Sequence, residues 1–219
     1  VDIFELKDII FEGESTTTEF KRKFTTPEKI AKEISALANT KGGYLIFGVD
    51  DDGSIYGVDN EKGEIDYIEQ ACNFYLEPPI EPDIEIIEIN HKDIVLVTIQ
   101  QSKIKPHKVV NSDENNAYIR VGEQSVIASR EMVKIMEGMN PESKSLKLSI
   151  GNNEKRLLDY LELHTKATVM DFAKICNISK RRASQLIIRL VRAGVLQIHQ
   201  DSTSDYYTLI PLNVGKKLI

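Results

Sequence analysis

The segment from Ser179 to Gly194 constrains this chain more than any other. Ala183, Leu186, Ile187, Leu190 and Val191 recur at i, i+3, i+4, i+7 and i+8, a spacing that forms one apolar stripe on an α-helix. Ser179 stands where a side-chain oxygen can cap the first turn, and Gly194 where a left-handed residue can end the last. Upstream, residues 154–163, apolar at Leu157, Leu158 and Leu161, read as one helix and 168–175 as a short second one. Downstream, 195–199 and 206–209 read as strands around a turn at 201–205. Three helices with a short second and a capped third, followed by a hairpin, predict a small winged helix-turn-helix domain over residues 154–212.

The outward face of that third helix carries Lys180, Arg181, Arg182, Ser184, Gln185, Arg189 and Arg192. At 100° per residue, Arg181, Gln185 and Arg192 fall nearly opposite the apolar stripe. Arg and Gln can make bidentate contacts to base edges, while Ser179 and Lys180 suit phosphates, which the helix N-terminus also attracts. The charge distribution agrees. A net charge of −6 divides into 15 Lys and Arg against 28 Asp and Glu over residues 1–143, and 13 against 6 over 144–219. The first part is thus at −13 and the second at +7, so a polyanion is drawn to the second. Two other readings stay open: the oppositely charged parts attract each other, or the basic helix is a solvated face or a dimerisation surface.

Several classes are disfavoured. No apolar run approaches the roughly 20 residues needed to span a bilayer, so no membrane association is expected. The start of the chain lacks the basic and apolar regions of a secretory leader. Cys72 and Cys176 are far apart and in no metal-ligand spacing, which predicts a reducing, cytoplasmic setting. His91, His107, His164 and His199 are scattered, giving neither a zinc site nor a catalytic triad. Gly42-Gly43 lacks the Lys-Ser/Thr of a phosphate loop and reads as a helix stop.

Residues 1–140 predict an α+β domain, a mixed sheet with packed helices, joined through a polar linker at 141–153. Residues 17–21 read as a strand, and Thr26-Pro27 as the cap and first position of a helix with Ile30, Ile34, Leu37 and Ala38 on its buried face. An apolar strand at 44–49 is expected to turn at Asp51-Asp52-Gly53 and return at 54–58. A helix over 64–76, strands at 83–89, 93–100 and 117–121, and a closing helix at 129–136 follow, in one sheet, with Arg120 facing out. Glu19 and Lys21 project from one face of the first strand, Glu14 lies just before it, and Asp50, Asp51 and Asp52 sit at the turn. Carboxylates beside a lysine are what metal-dependent phosphodiester hydrolysis requires. The same residues also read as a turn and a surface ion pair.

The residues from Glu14 to Lys21 (ESTTTEFK), Ile34 to Asp51 (ISALANTKGGYLIFGVDD), and Ala117 to Gly122 with Ala128 resemble the Schlafen AlbA-like domain over roughly residues 8–137. The resemblance implies a DNA-binding domain of bacterial and archaeal regulators, many of which carry a C-terminal winged helix. It implies a DNA-binding transcriptional regulator, a homodimer without cofactor, with nucleic acid as partner (DNA favoured, RNA also admitted) and Lys21 and Lys23 adding phosphate contacts. The alternative it implies is a metal-dependent endoribonuclease. In animal relatives that cut RNA, three acidic residues form the site, at positions that fall here on Glu14, Glu19 and Asp51. Those residues would hold Mg²⁺ or Mn²⁺, with Lys21 assisting. Such nucleases use two tandem lobes around a basic channel, so a homodimer would supply the second lobe.

Overall fold

The computed structural model describes residues 1–110, 115–143, 149–201 and 204–211. They divide into two compact units, Val1–Ala128 and Ser129–Ile219.

The first unit opens with a helix not expected from the sequence, α1 (Ile3–Glu12). It is capped by Asp2, whose carboxylate accepts from the Phe4 and Glu5 amides at 2.8 and 2.9 Å. Then come β1 (Thr18–Lys21), α2 (Pro27–Asn39) and β2 (Gly42–Phe47), with β1 and β2 parallel. β4 (Asp83–Ile89) and β5 (Lys92–Gln100) form a hairpin over Asn90 and His91, both at positive φ. The sheet order is β1-β2-β5-β4. Period-two alternation sends Leu45, Phe47, Val95 and Val97 into a core with α2 and α3 (Glu61–Phe74), and Ile46, Ile94 and Leu96 into a second core with Leu6 and Ile10 of α1. Both faces are covered, which is why these strands are continuously apolar.

Three expectations are corrected. Residues 54–58 do not form a return strand: Ile55 makes one isolated bridge to Val49, because both edges of β2 are taken by β1 and β5. The glycine pair begins β2 and does not stop α2. At Gly43, φ +138°, a Cβ would lie 2.0 Å from the Thr17 carbonyl oxygen, so only glycine lets β1 and β2 meet there. Finally, the α+β unit holds two sheets, not one. The second comprises β3 (Leu76–Glu77), β6 (Lys108–Val110), β7 (Asn115–Val121) and β8 (Gln124–Ile127), antiparallel in the order β3-β6-β7-β8.

Polar groups of α2 bond this second sheet where β6 ends. Ser35 accepts the Tyr118 amide at 3.2 Å, Asn39 donates to the Tyr118 carbonyl at 2.9 Å, and the Thr40 hydroxyl accepts the Arg120 amide at 2.9 Å. Asn39 also takes the His107 amide at 2.8 Å and gives to its carbonyl at 2.9 Å. These side chains do for β7 what a neighbouring strand would, which satisfies buried backbone that would otherwise be costly.

The second unit contains α4 (Arg130–Met139), α5 (Asn152–His164), α6 (Val169–Cys176), α7 (Lys180–Arg192), β9 (Leu196–Gln200) and β10 (Asp205–Leu209). The stripe of α7 packs with Leu157, Leu161, Phe172 and Tyr207, and Ile135 of α4 joins the same core. Thus α4, read from sequence as the closing helix of the first domain, is built into the second unit. Ala167 bridges to Tyr207 beside the β9–β10 hairpin. The turn positions 202–203, linker positions 144–148 and residue 212 lie outside the described residues.

Candidate nucleic-acid interface

The acidic residues singled out in the first unit do gather. Glu14 accepts the Phe20 amide at 2.8 Å. Its carboxyl is pushed above the usual carboxylate range, first by burial, with Glu19 and Asp51 adding repulsion; the Phe20 amide and Lys21 oppose the rise. Asp51 is exposed on the turn. Glu19, however, is only 7% exposed and is already occupied. One of its oxygens takes the Lys21 ammonium, and the other takes Arg120 Nη1 at 2.6 Å.

Arg120 was expected to face out and instead has a fully buried side chain. Strand alternation does point it away from Ile119, but that side of β7 lies under α2. Its guanidinium donates to Glu19, to Glu33 at 3.4 Å, to Ser125 at 3.2 Å, and to the carbonyls of Ser15 at 2.6 Å and Thr18 at 3.3 Å. It therefore ties the loop before β1, β1 itself and α2 to β7.

The fit to a metal follows from these contacts. Both oxygens of Glu19 are engaged by cations and one of Glu14 by an amide. Among the described residues no group of three or more His, Cys, Asp or Glu side chains converges on a point that could hold a metal ion. As arranged, Glu14, Glu19 and Asp51 do not fit Mg²⁺ or Mn²⁺, whose coordination shells need several free oxygens. Beyond Lys21, Lys23 is exposed, and Arg22 lies over the Tyr56 ring at 3.9 Å and 3.7 Å from Asp50.

In the second unit, α6 carries a Thr168–Asp171 capping box and ends at Asn177 in the left-handed conformation. The chain then turns directly into Ser179, whose hydroxyl accepts the Arg182 amide at 3.2 Å. This tight turn presents the first turn of α7 to solvent. Lys180, Arg181, Arg182 and Gln185 are exposed there. Three cations occupy the helix end where the macrodipole is positive, with no acidic residue in that turn. Each such cation opposes the dipole, typically by 0.3–1 kcal/mol. Helix stability does not account for them.

The remaining residues of that face are placed differently. Ser184 is buried and donates to Glu131 of α4 at 2.7 Å, so it is held within the unit and is not offered outward. Ile188, next along the same side, is buried too. Arg189 and Arg192 are half-buried, and Arg192 lies against Gly138 of α4. Sequence reasoning missed α4 as a neighbour of α7, and no local signal marks that pairing. The β9–β10 hairpin adds an aromatic surface: His199 stacks on Tyr206 at 4.8 Å, and Lys166 sits 5.5 Å from the Tyr206 ring.

A family model described as Schlafen, AlbA_2 matches residues 14–129. Among solved structures, the chain is similar to the DIP2311 protein of Corynebacterium diphtheriae, with 19% identity and TM-score 0.46 over 63% of this chain and 33% of that one. It is also similar to the N-terminal domain of a RecG-related protein of Nitrosomonas europaea, with 18% identity and TM-score 0.44 over 68% of this chain and 94% of that domain. The chain thus spans about a third of the length of the Corynebacterium protein. Among the described residues no helix is long and apolar enough to cross a membrane.

Proposed function

Because the chain belongs to the Schlafen, AlbA_2 family, we propose that it is a cytoplasmic nucleic-acid-binding protein, a DNA-binding transcriptional regulator acting as a homodimer. In this reading α5, α6, α7 and the β9–β10 hairpin are a winged helix-turn-helix, α7 is its recognition helix, and the hairpin is its wing. The observation that carries the reading is the first turn of α7, where Lys180, Arg181 and Arg182 stand exposed at the positive end of a helix with Gln185 one turn on. Arg181 and Gln185 supply base contacts, Ser179 and Lys180 phosphate contacts, and two copies of α7 address two half-sites. Lys21 and Lys23 of the AlbA_2 unit add phosphate contacts. The endoribonuclease alternative has less behind it, since Glu19 is committed to Lys21 and Arg120.

The test is a salt series on a duplex DNA pool selected for binding. The logarithm of the affinity should fall linearly with the logarithm of salt, with a slope near −0.9 per phosphate contacted. Lys180→Ala should reduce that slope by about one unit and weaken all sequences alike, whereas Arg181→Ala should weaken the preferred site most. Unchanged DNA affinity in both Arg181→Ala and Gln185→Ala would sink the recognition-helix assignment.

A further inference from the structure

The outward face of α7 is not a free ridge along its whole length. From Arg182 onward it forms the floor of a cleft of about 670 Å³ within the second unit, walled by α4 and by Ser143 beyond it. Hydrogen bonds to the hairpin and to α7 help hold α4 in place. Ser129, its N-cap, donates to Asp205 of the hairpin, and Glu131 receives Ser184 of α7. At the far end Gly138 lets Arg192 approach closely; a Cβ there would lie 2.3 Å from Arg192 Nε. Glycine inside a helix costs up to about 1 kcal/mol against alanine. The close passage of Arg192 gives that glycine a reason.

The lining is strongly one-signed. Lys134 on one wall and Arg182, Arg189 and Arg192 on the floor bring four cations to the cleft, against one carboxylate, Glu137. Gln185 contributes an amide, and the largely buried Leu186 and Ile188 an apolar floor. A concave site lined by one sign of charge focuses its field and concentrates counter-ions. Its volume is that of a small-molecule pocket, with an apolar surface and a few convergent polar groups.

We propose that the α4–α7 cleft binds a small phosphate-bearing ligand, one or two phosphates attached to an apolar or aromatic body. The phosphates lie among Lys134, Arg182, Arg189 and Arg192, and the body rests on Leu186 and Ile188. Lys180 and Arg181 lie outside the cleft. On the reading of α7 as a recognition helix, an occupant withdraws Arg182, Gln185, Arg189 and Arg192 from nucleic acid and leaves only Lys180 and Arg181. Ligand and DNA then bind antagonistically, each weakening the other by the same factor.

The experiment is calorimetric titration of the full chain with inorganic pyrophosphate, with a nucleoside diphosphate and with a short single-stranded oligonucleotide. The expected result is saturable binding of the nucleoside diphosphate, tighter than that of pyrophosphate. Lys134→Ala and Arg182→Ala should each weaken it roughly tenfold or more, the loss of one charge-assisted contact, while unfolding midpoints stay at the wild-type value. Gly138→Ala, which displaces the Arg192 guanidinium, should weaken it as well. Absence of saturable binding by either small probe, binding that none of the variants alters, or binding by the oligonucleotide alone would overturn the proposal. Duplex DNA retention is measured on the same preparations. A failed small-ligand titration with intact, Arg181-dependent DNA binding refutes the cleft alone, and the converse result refutes the recognition helix alone.

Discussion

Arg120 donates to Glu19, Glu33, Ser125 and two main-chain carbonyls from inside the AlbA_2 unit, whereas Lys180, Arg181 and Arg182 stand in solvent on the first turn of α7. The first set spends its hydrogen-bonding capacity holding β1, α2 and β7 together. The second stands exposed, in a position that weakens its own helix. Net charge along the chain conceals this. The acidic part of the chain owes its most constrained contacts to a buried cation, and the first turn of α7 shows three exposed cations at the positive end of a helix. A guanidinium therefore indicates recognition only where burial and partners leave it available.

The largest effect should come from breaking the buried set. Glu19→Ala removes the closest carboxylate from a guanidinium that cannot reach water, and should cost about 3–5 kcal/mol in urea unfolding of the AlbA_2 unit. Pairing Glu19→Leu with Arg120→Met should recover most of that loss, since apolar groups of similar volume avoid the stranded charge. If Glu19→Ala left stability untouched, Glu19 would not be the structural partner described, and the metal-dependent reading of Glu14, Glu19 and Asp51 would regain its footing. The comparison between the two sets of cations would break with it.

A second contrast lies within α7 itself, between adjacent residues. Gln185→Ala should weaken binding to a preferred DNA site by about 1–3 kcal/mol while leaving unfolding unchanged, as expected for a base contact. Ser184→Ala should lower stability by about 0.5–1.5 kcal/mol through loss of the bond to Glu131. Its effect on DNA affinity should be absent. Anisotropy titrations and denaturation curves on both variants give a two-by-two result, and exchanged outcomes would mean that α4 does not hold the Ser184 face.

Much of this was legible in the residues. The stripe at Ala183, Leu186, Ile187, Leu190 and Val191 and the cap at Ser179 are local signals, and the structure places them as read. The cap at Thr26 with Pro27 behind it is another. What escaped depends on contacts distant in sequence. Ile94-Val95-Leu96-Val97 is apolar on both faces of a strand, which requires a cover on each side, yet only the core of α1 shows that Leu6 and Ile10 provide the second. Alternation along β7 fixes which side Arg120 leaves by but not that α2 occupies it. Nothing local in the sequence shows that Ser35 and Asn39 of α2 bond the main chain of β7 at Tyr118. Gly138 and Arg192 are far apart in the chain, and neither predicts the other.

The smallest effect concerns pH, and it should again separate the units. His107 is buried in the AlbA_2 unit, its ring nitrogens 2.7 Å from the Pro78 carbonyl oxygen and 2.7 Å from the Ser102 hydroxyl. Burial holds its pKa below the usual 6.5, with nearby Lys105 acting in the same sense and the Pro78 carbonyl opposing. A lowered value in the fold means that the unfolded chain takes up the proton first. The stability associated with neutral His107 is therefore complete above pH 6.5 and is lost as pH falls from there through the folded value. Glu14 and Glu64 act oppositely: burial raises both, so acidification through their folded values stabilises the unit. Comparing wild type with His107→Gln cancels those carboxylates. The variant should be less stable at pH 7.5 through its lost contacts, and the gap should narrow toward pH 5.5. A constant gap across that range would mean that His107 is held in place without its proton equilibrium being shifted.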